Sequence, residues 1–93
     1  MTAPPPIRVL VVEDHHLARF GLRGVLEDEG DIQVVGEARN LAEARQQLAA
    51  LSPDVVVADI ELPDGDGLEL VAGLRDAGSR VRAVVVTHHE GVA

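Results

Sequence analysis

Three apolar runs in this chain stop abruptly on residues able to do chemistry. Ile7 to Val12 runs into Glu13 and Asp14, Val55 to Ala58 into Asp59, and Val81 to Val86 into Thr87. If the three run ends share one edge of a sheet, Glu13, Asp14 and Asp59 repel one another, and a hard divalent cation with oxygen ligands relieves that repulsion. Mg2+ is the expected ion. A carboxylate held beside such an ion can attack a phosphoryl group, because the metal neutralises charge on the incoming oxygens; Asp59 would then carry an acyl phosphate. Thr87 offers a hydroxyl donor where a phosphoryl oxygen would lie.

The elements needed to bring these residues together follow from periodicity. Val55 to Ala58 has no polar alternation and reads as a central strand covered on both faces, and Ile7 to Val12 is a second apolar, β-branched run that reads as a strand. Between them, His16 to Glu29 has helical period with an apolar stripe of Ala18, Leu22, Val25 and Leu26, and Gly30 is the expected stop. Ile32 to Ala38 reads as an edge strand, since Gly36 interrupts it and it carries polar residues. Asn40 with Glu43 resembles a capping box before a stripe of Leu41, Ala44, Leu48 and Leu51, which Ser52-Pro53 ends. Asp66 with Glu69 is a second capping pair, ahead of Leu68, Val71, Leu74 and Arg75, with Gly78 as the stop. Val81 to Val86 is the fourth strand, with Thr87 its last residue. The order β-α-β-α-β-α-β with right-handed crossovers predicts four parallel strands with helices on both faces, and it sets every strand's carboxyl end on one edge.

Composition narrows the function classes. At 93 residues the chain is one domain, read as a disordered proline-rich lead over residues 1–6 and a folded unit over 7–93. With one Phe and no Trp or Tyr, the core must be aliphatic. Sixteen acidic against eight basic residues give a net charge of −8, so no basic stripe is available and direct nucleic-acid binding is not expected. All the basic residues are Arg, and there is no Cys for disulfide or thiolate chemistry. MTAPPPIR lacks the apolar segment of a signal peptide and no run reaches membrane-spanning length, so a cytoplasmic location without membrane contact is expected.

On these residues the chain resembles a response-regulator receiver domain of two-component signalling. The resemblance rests on Glu13-Asp14 after the first strand, Asp59 after the third, Pro63, Gly67, and Thr87 at the end of the fourth. The wording DHH…GLRGVLE…DIQVVGEA is similar to NarL/FixJ-like transcription regulators. It implies an α/β, flavodoxin-like doubly wound sheet of strand order 2-1-3-4, truncated so that the fifth β-α unit is absent. It further implies a signalling module that is not an enzyme: a sensor histidine kinase phosphorylates Asp59, Asp14 binds Mg2+ directly, Glu13 binds it through water, and the Glu61 backbone carbonyl and Asp59 complete the protein ligands. Thr87 is the switch hydroxyl, and the output, transcription, is controlled through a region beyond this chain. The family's fifth-strand lysine has no counterpart here, and the uncovered edge of the fourth strand predicts self-association.

Two other functions share parts of this pattern. A phosphatase of the haloacid-dehalogenase type also uses an aspartyl phosphate, but resembles D-x-D after a first strand, whereas Asp59-Ile60-Glu61 follows the third. A degenerate receiver would act only as a protein-binding module. Asp64 and Asp66 read as turn and cap residues. His15, His16, His88 and His89 could invite Zn2+ or Mn2+, but match no metal-site spacing and read as exposed loop residues. Phe20, off the main stripe, reads as core packing, with a rim contact or a partner-facing residue as the alternative.

Overall fold

The structure, a computed structural model, describes residues 4–87; positions 1–3 and 88–93, and with them His88 and His89, lie outside the described residues. Strand β1 (Ile7–Val12), helix α1 (His16–Glu27), β2 (Ile32–Ala38), α2 (Leu41–Leu51) and β3 (Val55–Asp59) are followed by two short strands, β4 (Glu61–Leu62) and β5 (Gly65–Asp66), then α3 (Gly67–Asp76) and β6 (Arg82–Val86). The main sheet is parallel in the order β2-β1-β3-β6, the expected order with β6 as fourth main strand. β4 and β5 form a separate antiparallel pair that the sequence pattern did not signal.

Alternation along β1 divides the core between two layers. Leu10 and Val12 point to the side where Leu41 and Ala44 of α2 and Leu70 of α3 pack, and Val9 and Val11 to the side of Leu22 and Leu26 of α1. A strand buried on both faces has to be apolar at every position, which is why β1 and β3 read as unbroken runs. Each fully buried aliphatic side chain of this kind stabilises the fold by roughly 1.5–3 kcal/mol. At the edge, β2 shifts register: Val9 faces Val34, then Leu10 faces Gly36.

Several expectations need correction. α1 ends at Glu27 with Asp28 as its cap, and Gly30 is not in the left-handed region, because Asp28 and Glu29 already donate to the Gly24 and Leu26 carbonyls. Val25 is exposed and no residue of α1 is fully buried, so the stripe reduces to Ala18, Leu22 and Leu26 at intermediate burial. Phe20 is 72% exposed and is not core. In α3 the buried residues are Gly67 and Leu70, while Leu68 is exposed; the helix starts directly against the turn after β3, which rotates the i, i+3 pair onto the sheet. β6 begins at Arg82, since the N–H of Val81 is taken by Ser79 Oγ in the preceding turn, and it ends at Val86, leaving Thr87 just past it.

The helix caps are more elaborate than expected at α2. Asn40 Oδ1 accepts from the N–H of Glu43 at 2.8 Å, but Glu43 reaches back to the N–H of Arg39 at 2.9 Å and not to that of Asn40. The first two N–H groups of the helix, Leu41 and Ala42, donate at 2.7 and 3.1 Å to Asp64, from the turn between β4 and β5. The Leu41 N–H, and then that of Ala42, hold the Asp64 carboxyl below its usual range. Asp66 and Glu69 form the reciprocal capping box expected for α3.

Candidate functional site

Parallel pairing carries the chain ends of β1, β3 and β6 to one edge. Val12 lies opposite Ala58, and Asp59 opposite Val86. Glu13, one residue past Val12, and Asp59 therefore emerge side by side. They are the buried charged residues of the described chain, 1% and 2% exposed. Burying two carboxylates together is costly unless a cation or donors compensate them.

The donors come from neighbouring loops. Glu13 Oε1 accepts from the backbone N–H of His15 at 3.0 Å and lies 2.8 Å from His15 Nδ1. That contact, reinforced by the charges of Glu13, Asp14 and Asp59, raises the His15 pKa above its usual value. The Glu13 carbonyl accepts from Arg19 Nη1 at 2.9 Å, while Arg19 Nε and Arg23 Nη1 hold the two oxygens of Glu37 on β2 at 3.1 and 2.6 Å. Asp59 Oδ1 accepts from the N–H of Glu61 at 3.2 Å, and the Ile60 N–H donates to the Val86 carbonyl at 3.0 Å. These bonds fix the turns that leave β1 and β3.

Gly67 completes the frame. Its N–H donates to the Ile60 carbonyl at 2.9 Å, and a Cβ built there would sit 2.3 Å from the Asp59 carbonyl oxygen, so any side chain would push α3 off the turn that carries Asp59. Gly65, at φ +154°, is a second position closed to side chains, because a Cβ would meet Glu69 Oε2 and the Leu41 side chain.

Of the residues singled out from sequence, Glu13 and Asp59 are brought together, and with His15 they present ligand atoms that all lie within 4.8 Å of one another. Asp14 is exposed at the adjoining position and stands outside that group. Glu61 is exposed at the start of β4, and Thr87 is exposed immediately after Val86, Asp59's partner in register. Sequence reasoning read His15 as an exposed loop residue without linking it to Glu13, and passed over Arg19. A signal for His15 was present: it occupies the N-cap of α1, where Ser, Thr, Asp or Asn is preferred, and its side chain does not cap the helix. Two buried carboxylates with an exposed acid and a backbone turn beside them fit a hard divalent cation that keeps several waters.

The sequence matches the response regulator receiver domain model over residues 9–93. The chain belongs to that family. It is 39% identical over 83 residues to the DNA-binding transcriptional activator DevR/DosR of Mycobacterium tuberculosis, a match covering 89% of this chain and 38% of that protein. Among solved structures it is similar to the signal receiver domain of NarL from Mycobacterium tuberculosis, with a TM-score of 0.87 and 34% identity over 95% of this chain and 71% of that one. It is also similar to the MaeR response regulator bound to beryllium trifluoride, with a TM-score of 0.82 and 30% identity over 90% of this chain and 69% of that one. The chain thus spans about two fifths of the length of the curated relative. It is a receiver domain of a two-component response regulator, with the α/β sheet of that family. Among the described residues, no helix is long and apolar enough to cross a membrane.

Proposed function

We propose that Asp59 accepts a phosphoryl group from a sensor histidine kinase and that the resulting acyl phosphate controls an output, transcription, through a region outside this chain. The observation that carries this reading is the placement of Asp59: 2% exposed, at the carboxyl end of β3, beside the buried Glu13. In the transfer, an Asp59 carboxylate oxygen forms a bond to phosphorus as the phosphorus–nitrogen bond of phosphohistidine breaks, and the electron pair stays on the imidazole. Glu13, Asp14, Asp59 and the Glu61 carbonyl would hold Mg2+, which supplies charge neutralisation for the phosphoryl oxygens when bound. The Thr87 hydroxyl, one residue beyond Asp59's partner Val86, would donate to a phosphoryl oxygen. MaeR's complex with beryllium trifluoride supports the reading, since that group has the shape and charge of a phosphoryl group. A DNA-binding activator among the relatives supports transcription as the output.

The test is incubation of the chain with Mg2+ and acetyl phosphate. A stoichiometric, acid-labile label lost in Asp59→Asn is expected; an acid-stable label, or equal labelling of Asp59→Asn, overturns the aspartyl mechanism. Continuing turnover of a phosphate ester would indicate the phosphatase chemistry instead. The chain contains no lysine, so one charge-assisted contact worth roughly 1.5–3 kcal/mol is missing, and the label should build up slowly. Self-association of this chain belongs to the same proposal: among the described residues β6 is an edge strand, with Val84 half exposed and Arg82 as its only charge. A sharp, concentration-independent monomer in sedimentation would remove that part.

A further inference from the structure

We infer that the chain binds a second copy of itself head to tail, the exposed face of α1 on one copy entering the groove between α2 and α3 on the next. The two surfaces lie on opposite sides of the main sheet, since α1 packs against Val9 and Val11, and α2 and α3 against Leu10 and Val12. Neither is the β6 edge, and neither needs a phosphoryl group, so the inference stands apart from the phosphoryl-transfer reading.

Helix α1 carries a second stripe, away from the sheet. Leu17, Phe20, Gly21 and Gly24 follow at helical spacing with Val25 at the border, and Leu17, Phe20 and Val25 are 82%, 72% and 69% exposed. Gly21 and Gly24 have nothing within 4 Å of a built Cβ, so no packing inside the molecule calls for glycine there, although glycine weakens a helix interior. The stripe ends in acid. Glu27, Asp28 and Glu29 stand at the negative end of the helix dipole with no basic residue in the last turn to offset them. Arg23 takes Glu27, and Asp28 and Glu29 make no ion pair among the described residues.

The groove is the complement in shape and in charge. Between α2 and α3 lies a cavity of about 470 Å3 lined by Leu48, Ala49, Leu70, Gly73, Leu74 and Val81. Gly73 repeats the pattern of the α1 glycines, mid-helix with nothing within 4 Å of a built Cβ, so glycine on both surfaces lets the two backbones come close. Arg19, Arg23 and Arg39 are ion-paired, and Arg8 donates to the Ser52 carbonyl. The remaining arginines, Arg45, Arg75, Arg80 and Arg82, make no ion pair among the described residues, and each borders one of three cavities that meet at Val81. The acids on those rims are engaged: Asp54 accepts from the Arg8 N–H and Glu69 from that of Asp66. In a chain of net charge −8, uncompensated positive charge collects here, and the acidic end of α1 matches it. Because the two surfaces differ and face apart, each contact leaves one of them open on either member, and the assembly grows as a stack without closing as a pair.

Sedimentation over a range of concentrations tests this, with every chain carrying Val84→Lys to remove pairing through the β6 edge; Val84 does not line the cavity between α2 and α3. The average mass should keep rising with concentration past that of a dimer, and less steeply in added salt. Phe20→Asp and Gly73→Leu, both at exposed positions, should each weaken association at least about tenfold. Mixing these two variants is the decisive arm, because one keeps the groove and the other keeps the α1 face: the mixture should form a one-to-one pair and grow no further. Thermal unfolding of each variant checks its fold, and if Gly73→Leu fails that check, Arg80→Glu is the groove variant. A monomer at every concentration, growth that stops at a dimer, or a mixture that stays monomeric overturns the inference. Failure of the parent to label at Asp59 counts against the phosphoryl-transfer reading alone.

Discussion

At the first turn of α2 three backbone N–H groups are taken by side-chain oxygens, two by Asp64 and one by Asn40; at α1 the N-cap side chain, His15, caps none. Both helices begin at the carboxyl edge of the sheet, so the difference is one of use and not of position. At α2 the polar side chains serve the helix, as the preference for Asn and Asp at such positions leads one to expect. At α1 the side chains serve the strand before it: His15 turns back to Glu13, and Arg19, from within the first turn, reaches the Glu13 carbonyl. At α1 the N-cap position thus serves a buried carboxylate and not the helix.

The comparison breaks most visibly at Arg19. Its guanidinium, 14% exposed, joins the Glu13 carbonyl to Glu37 of β2, and hydrogen bonds involving a charged group contribute about 1.5–3 kcal/mol. Arg19→Met should therefore lower stability by roughly 2 kcal/mol, near 10 °C in melting temperature for a domain of this size, and weaken cation binding because the turn carrying Glu13 is released. Thermal unfolding alongside a metal titration checks both, and a variant that loses stability with metal affinity intact would show Arg19 to be structural only.

A smaller effect is expected at α2. Asp64→Asn should lower the melting temperature at neutral pH by less than Arg19→Met does, and leave metal affinity unchanged. Its pH dependence has a definite sign. The folded pKa of Asp64 lies below the unfolded one, so its charge stabilises the fold above the unfolded pKa and that contribution is lost as pH falls through the folded pKa. The gap between parent and Asp64→Asn should thus close in acid. A gap that is constant from neutral pH down to the acid range would mean the Asp64 charge contributes nothing to the cap.

The strands and the two carboxylates were readable in advance because one physical rule governs both: a parallel strand covered on both faces is apolar throughout, so its end is visible as the first acid. That rule places Glu13-Asp14 and Asp59 but does not choose between Glu13 and Asp14 for burial, which the backbone path after Val12 decides. Asp64 was recognisable as a cap, yet the helix it caps lies far back along the chain, a relation only the folded turn between β4 and β5 creates. The two-residue strands β4 and β5 are too short for any alternation to show. Val25 was misplaced because periodicity reports which residues share a helix face, and not whether anything covers it.

The wholly parallel main sheet has a consequence in time. Ile7 must find Ile32, Val9 must find both Val34 and Val55, and Val55 must find Arg82, so no main strand can pair with a neighbour joined to it by a tight turn. As the chain leaves the ribosome β1 emerges first, yet it sits between β2 and β3 and stays without either until each has been made. Helices can gather locally in about a microsecond, whereas such distant pairings pay their loop-closure entropy before any contact rewards it. The most apolar strand, the one that carries Glu13, is thus the one longest exposed during synthesis. Amide protection in pulse-labelled refolding should appear in α2 before β1, and the reverse order would mean that β1 collapses onto a partner ahead of the helix.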